Sequence, residues 1–303
     1  MLKEGTADYK KPETLIAPEI PRTDWDTILI LQRHGAYDTK RPVDSKNPTE
    51  EEIKSLGRLT PEGKEDVKKI TRKRLGVVME NQPEKTDFLL INSPTYWLDN
   101  EKFGQRARET SEIVAEEIKN YLKEKGLPDN QLLNTLQRES GKSIFRGGVS
   151  RPEKRLGEAL MFQVPEFADF LRKEYKGQGP DFWKNFNLDT HKEKREQYGA
   201  EGPVEIADRM NKFITVVARF ASAYHKKHPG RKLLSWKIAH GDSLEPYVQR
   251  VLGVPEEAFN AGYNAGIGIS INAKGEAKTT IEDKDYKVNF IAHGKPAPLQ
   301  STK

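Results

Sequence analysis

Three short apolar runs constrain the fold of this chain more than any other feature: Thr27-Ile28-Leu29-Ile30-Leu31, Phe88-Leu89-Leu90-Ile91, and Leu233-Leu234-Ser235-Trp236-Lys237-Ile238-Ala239. None alternates apolar with polar residues, so none reads as a strand with one wet face. Continuous runs of this length suit strands covered on both sides, as in the centre of an α/β sheet. Between them lie helical patterns. Thr60-Pro61-Glu62 supplies an N-cap and a proline at the first helical position, followed by Val67, Ile70, Val77 and Val78. Ile113, Val114, Ile118, Tyr121 and Leu122 mark a second helix. Ile206, Met210, Phe213, Ile214, Val217, Phe220 and Tyr224 mark a third, opened by Pro203 and closed near Pro229-Gly230. Gly268 to Asn272 and Ala277 to Ile281, joined through Ala273-Lys274-Gly275, read as a hairpin. The alternation predicts a three-layer α/β/α sandwich with a mostly parallel central sheet.

The domain plan is an extended arm over 1–25, one domain over 26–292, and a frayed tail over 293–303. Residues 125–200, rich in Gly, Pro and charge, break the alternation and read as an insertion over the sheet's edge; a second insertion falls at 95–105.

Each apolar run leads at once into polar residues: Gln32-Arg33-His34-Gly35, Asn92-Ser93-Pro94, and His240-Gly241-Asp242-Ser243. Ligands of open α/β sheets bind beyond the carboxyl ends of the strands, which makes these three endings candidates for one site. Two histidines and an arginine there fit phosphate-ester cleavage. Guanidinium groups neutralise the phosphoryl charge, one imidazole attacks phosphorus, and a second stabilises the spreading negative charge. A carboxylic acid is needed to protonate the leaving oxygen.

The composition narrows the alternatives. The chain has no cysteine, which excludes disulfides, thiolate metal sites and cysteine nucleophiles. Its 51 basic and 46 acidic residues leave +5, spread along the chain, so no nucleic-acid partner is expected. The basic run Lys68 to Arg74 reads as a solvated helix face. No stretch reaches the ~18 apolar residues that span a bilayer, and no signal-peptide pattern opens the chain, so a cytoplasmic protein with no membrane partner is expected. No His-x-x-x-His spacing occurs, so neither metal nor cofactor is expected. His191, His225, His228 and His293 lack such ordered partners and read as surface residues.

Taken in order, these residues resemble the histidine phosphatase superfamily, the phosphoglycerate mutase-like proteins of the branch 1 type. Arg33-His34-Gly35 after a strand looks like the superfamily signature, and Leu59-Thr60-Pro61-Glu62-Gly63 resembles the start of the next helix. Ser93-Pro94 with Arg106-Ala107-Arg108-Glu109-Thr110 resembles the segment that supplies a second phosphate-binding arginine. His240-Gly241 resembles the second-histidine motif; Gly202, Glu205 and the stretch from Asn264 to Ile271 also fit. The likeness spans about 27–282.

The resemblance implies His34 as nucleophile, with Arg33, Arg106 and His240 binding phosphate. It implies a catalytic glutamate behind a leucine, which Leu156-Gly157-Glu158 fits best; Glu139, in Leu136-Gln137-Arg138-Glu139, lies at the more usual sequence distance. Asp242 reads as a turn residue. Two departures stand out. Thr95 to Gln105 separates Ser93-Pro94 from Arg106, and Ala36-Tyr37-Asp38-Thr39-Lys40-Arg41 replaces the continuation that positions glycerate in true mutases.

The expected activity is that of a histidine acid phosphatase-type phosphomonoesterase acting on a phosphorylated small molecule or phosphoprotein, with homo-oligomer formation left open. A mutase-type phosphotransferase and a non-catalytic scaffold that binds phospho-ligands are the alternatives. Tyr37, Trp97 and Lys142 are further residues that could line the outer site.

Overall fold

The strand β1 (Thr27–Arg33) is buried along its first six residues, and its alternate side chains enter two separate cores. Ile28 and Ile30 pack with Val67 and Leu75 of α2 (Pro61–Val78) and with Val114, Ile118 and Leu122 of α3 (Arg106–Glu124). Leu29 and Leu31 pack with Met210, Phe213 and Ile214 of α7 (Pro203–Lys227) and with Leu244, Tyr247 and Val248 of α8 (Gly241–Arg250). Burying a side chain of this size contributes about 1.5–3 kcal/mol, so an unbroken apolar run is what a strand between two helical layers requires. The computed structural model describes residues 25–38, 49–80, 82–93, 105–133, 151–152, 154–157 and 164–291.

The other strands are β2 (Thr86–Asn92), β3 (Arg151–Pro152), β4 (Lys232–Ala239), β5 (Gly266–Ile271), β6 (Ala277–Ile281) and β7 (Lys284–Val288). They form one sheet in the order β3-β2-β4-β1-β5-β6-β7. The pairings β3-β2, β2-β4 and β4-β1 are parallel, whereas β1-β5, β5-β6 and β6-β7 are antiparallel. The sheet is therefore mixed, not mostly parallel. The cause is the carboxyl-terminal meander. The expected β5-β6 hairpin turns back at Asn272–Gly275, and a further strand, β7, follows the two-residue turn Glu282-Asp283. Both turn residues have positive φ, 48° and 61°, as a tight type I′ connection demands.

The described parts of the insertion hold α4 (Pro165–Glu174), α5 (Pro180–Asn187) and α6 (Lys192–Gln197). Phe167, Leu171, Phe182 and Phe186 close a small core of their own there. The remaining described helix, α1 (Glu50–Ser55), starts with a capping box made by Thr49 and Glu52.

Three expectations about helix faces change. On α7, Phe220 is exposed, and Ala221 joins the buried stripe in its place. On α2, Arg74 turns inward and is buried, so the basic run is not wholly a solvated face. His191 and His225 are half-buried, bonded to the Tyr175 hydroxyl at 2.7 Å and to Thr27 Oγ1 at 2.8 Å.

The start of α2 lies so close to the chain after β1 that a Cβ on Gly63 would sit 2.2 Å from the Ala36 carbonyl oxygen. Gly76, in the same helix, has nothing within 4 Å of its would-be Cβ. Opposite outcomes are expected. Gly63→Ala should destabilise by about 1–3 kcal/mol through overpacking. Gly76→Ala should stabilise by about 0.5–1 kcal/mol through helix propensity. Denaturant unfolding of the two variants checks this.

Candidate active site

Strand register brings the two histidines together. β1 and β4 run parallel with Arg33 opposite Ala239, so His34 and His240 leave the sheet side by side. The His34 amide donates to the Ala239 carbonyl at 3.1 Å, and the two imidazole rings lie 5.0 Å apart. His240 is the N-cap residue of α8. The glycine after each histidine sits in limited space, most tightly at Gly35. A Cβ on Gly35 would lie 2.6 Å from Val67 Cγ2, and one on Gly241 would lie 3.3 Å from the Arg33 side chain.

Arg106 arrives from the third direction, as the first residue of α3. Thr110, one turn later, fixes this end of the helix against β1. Its hydroxyl donates to the Arg106 carbonyl at 2.8 Å and accepts from the Gly35 amide at 3.0 Å. Glu109 accepts from Arg58 Nη1 at 2.9 Å and from the Leu59 amide at 3.0 Å, tying α3 to the chain that enters α2. Within the segment Arg106 to Thr110, Arg106 is thus presented between two anchors, Glu109 and Thr110. Arg33 is set differently: its Nη1 donates to the Ala261 carbonyl at 2.6 Å, and the Ala261 amide is held by Glu245 Oε1 at 3.0 Å. Arg33 Nε is buried with no hydrogen-bond partner among the described residues.

The state of His34 follows from its neighbours. Nδ1 lies 2.9 Å from the Gly35 carbonyl oxygen, which can only accept, so Nδ1 carries the hydrogen. Nε2 is then left with its lone pair, which accepts from Arg106 Nε at 3.0 Å. Burial, followed by the charges of Arg106, His240 and Arg33, holds the His34 pKa well below the ordinary imidazole value; only the Gly35 bond opposes this. The ring is a neutral base whose lone pair faces the Arg106 guanidinium, within the field of Arg33.

This state carries a stability consequence. An unfolded His34 binds a proton below about pH 6.5, whereas the folded one does not until much lower pH. Unfolding therefore takes up a proton in that window, and the contribution, complete above about pH 6.5, is lost as the pH falls. Thermal melts from pH 7 to 5 should show a falling Tm, with a shallower fall in His34→Asn.

Two tyrosines complete the described surroundings. The Arg106 guanidinium lies 4.2 Å from the Tyr37 ring centre, and that of Arg33 lies 4.4 Å from Tyr263. Tyr263 carried no sequence signal beyond being the one aromatic in Asn-Ala-Gly-Tyr-Asn-Ala-Gly. Asn264 follows it with φ at 62°; its amide donates to the His34 carbonyl at 3.2 Å, and its own carbonyl accepts from buried Arg74 at 2.8 Å.

Glu158, Glu139, Trp97 and Lys142 lie outside the described residues, as do Thr95 to Gly104 of the first insertion. Gly157, just before Glu158, is described and firmly held. Its carbonyl accepts from Arg209 Nη2 at 2.9 Å and from Ser243 Oγ at 2.5 Å, and Arg209 Nε is itself paired with Glu201 at 2.8 Å. Asp242 lies in the first turn of α8, where its charge acts on Arg106, Glu201 and Glu245. Among the described residues no three His, Asp or Glu side chains gather closely enough to hold a metal ion. Nor is any helix among them long and apolar enough to cross a membrane.

Comparison with solved structures returns proteins of similar arrangement at low identity. A phosphoglycerate mutase from Bacillus anthracis shares 14% identity, with 86% of this chain and 95% of that one covered and a TM-score of 0.46. A mycobacterial glucosyl-3-phosphoglycerate phosphatase complexed with VO3 shares 15% identity, covering 84% and 97%, with a TM-score of 0.45. A mycobacterial hydrolase shares 15%, covering 85% and 98%, with a TM-score of 0.46. No protein-family model and no curated protein matches the chain. At these identities and scores the likenesses assign no activity.

Proposed function

We propose that this protein is a phosphomonoesterase that works through a phosphohistidine at His34. The observation that carries the proposal is the placement of that ring, with Nδ1 2.9 Å from the Gly35 carbonyl oxygen and Nε2 3.0 Å from Arg106 Nε, which favours the tautomer with a free lone pair on Nε2. Neutral Nε2 attacks phosphorus, and the ester P–O bond breaks as the N–P bond forms. Arg33 and Arg106 neutralise the phosphoryl oxygens, and His240 donates to them as charge spreads. Glu158, protonated, gives its proton to the leaving oxygen. As carboxylate it then takes one from the water that cleaves the N–P bond, which frees inorganic phosphate and restores His34. No metal ion enters this sequence, and the substrate class is a phosphorylated small molecule or a phosphoprotein.

The acid assignment has its own test. Proton donation matters for an alkoxide leaving group and hardly at all for p-nitrophenolate. Glu158→Gln should lose roughly 10²–10⁴-fold in kcat/KM, which excludes the shared hydrolysis of the phosphohistidine, on an alkyl phosphate and far less on p-nitrophenyl phosphate. If Glu139→Gln shows this pattern instead, the role moves to that residue. Equal losses of kcat/KM on both substrates in both variants would remove these glutamates from proton donation to the leaving group.

A further inference from the structure

From the two tyrosines beside the phosphate-binding arginines we infer a substrate class: Tyr37 and Tyr263 form an aromatic corner that selects aryl phosphate monoesters. The inference rests on the phosphatase proposal and adds to it the identity of the leaving group. The His34 ring lies 5.2 Å from that of Tyr37 and 6.0 Å from that of Tyr263. In-line attack puts the leaving oxygen on the far side of phosphorus, on the order of 5 Å from Nε2 given a near-attack distance of about 3–3.5 Å. The tyrosine rings stand in the same shell. They also stand on the phosphoryl side of His34, because each backs one of the two guanidinium groups that meet the phosphoryl oxygens, while Nδ1 faces the Gly35 carbonyl.

The two rings are perpendicular to each other, with centres 6.0 Å apart. A planar leaving group entering such a corner can lie parallel to one wall and meet the other edge to face, and both arrangements favour aromatic over saturated rings. Both tyrosines are half-buried.

Each sits on a fixed backbone. Tyr37 bridges Leu59, and Tyr263 precedes Asn264, which is pinned to His34 and Arg74. The walls are therefore set before the substrate arrives, which spares the cost of ordering them.

Competitive inhibition by phenylphosphonate, cyclohexylphosphonate and methylphosphonate tests this without leaving-group chemistry. The first two share an anion and a similar volume and differ in aromaticity. Phenylphosphonate is expected to bind about five- to tenfold more tightly than cyclohexylphosphonate. In folded Tyr37→Leu and Tyr263→Leu the ratio should fall towards one. O-phosphotyrosine and a phosphotyrosyl peptide should compete as well, the tighter of the two telling a small aryl phosphate from a phosphotyrosyl protein. Equal inhibition by the phenyl and cyclohexyl compounds, or a ratio that survives both substitutions, would overturn the aryl preference and leave the phosphatase proposal standing. Failure of all three phosphonates and of vanadate to compete would overturn both.

Discussion

Replacing His34 by alanine is expected to lower turnover of any phosphate monoester by roughly four to six orders of magnitude, as loss of a covalent nucleophile does. The protein should remain folded. The ring's bonds are to the Gly35 carbonyl and Arg106, and the adjacent backbone is held independently by Ala239, Thr110 and Asn264. The variant leaves a space between two cations where a free imidazole can enter, so added imidazole should restore part of the turnover with release of inorganic phosphate. A general stabilising role for His34 would give neither the depth of the loss nor the rescue. Assay of the variant on p-nitrophenyl phosphate, with and without imidazole, separates the two.

Replacing Arg106 should produce the next largest effect. Arg106→Ala removes a buried fork of donors from the developing charge, and a loss of about 10²–10³-fold in kcat/KM is expected. Arg106→Lys keeps the charge but not the paired geometry, so it should recover only part of that. A second readout marks the mechanism. Arg106 is the largest charged contributor to the depressed His34 pKa, so without it that pKa rises. The acidic limb of the kcat/KM profile should move to higher pH in Arg106→Ala and stay in place in Arg106→Lys. An unshifted profile in the alanine variant would mean that the two side chains are not electrostatically coupled in solution.

The central strands were readable because a strand covered on both faces leaves an unbroken apolar run, and Ile28 to Leu31 serve two cores in alternation. The candidate residues at the strand ends stood out for a related reason: Arg33, His34 and His240 are abrupt polar endings to apolar runs. Arg106 was reached through its surrounding motif, whose Glu109 and Thr110 prove to be anchors.

What stayed hidden depends on long-range contact. The last strand, Lys284-Asp285-Tyr286-Lys287-Val288, is charged because it lies at the sheet's edge, and its turn uses Glu-Asp where Asn-Gly would have signalled it. Arg74 looked like one more cation of a basic run. Only the fold shows that it is buried against Gln32 and Asn264, where lack of solvent lowers its pKa to about 10. Tyr263 was invisible for the same reason: nothing local marks a ring that a guanidinium 230 residues earlier will cover.

The proposal of covalent catalysis is tested most directly by alkaline rapid-quench trapping with a phosphoryl-labelled substrate. It predicts a label that is stable to base and lost in acid, present at close to one phosphoryl group per active chain, and borne by the peptide that contains residue 34. Full turnover with no trapped label at any time point, or a label on a peptide without His34, would contradict it.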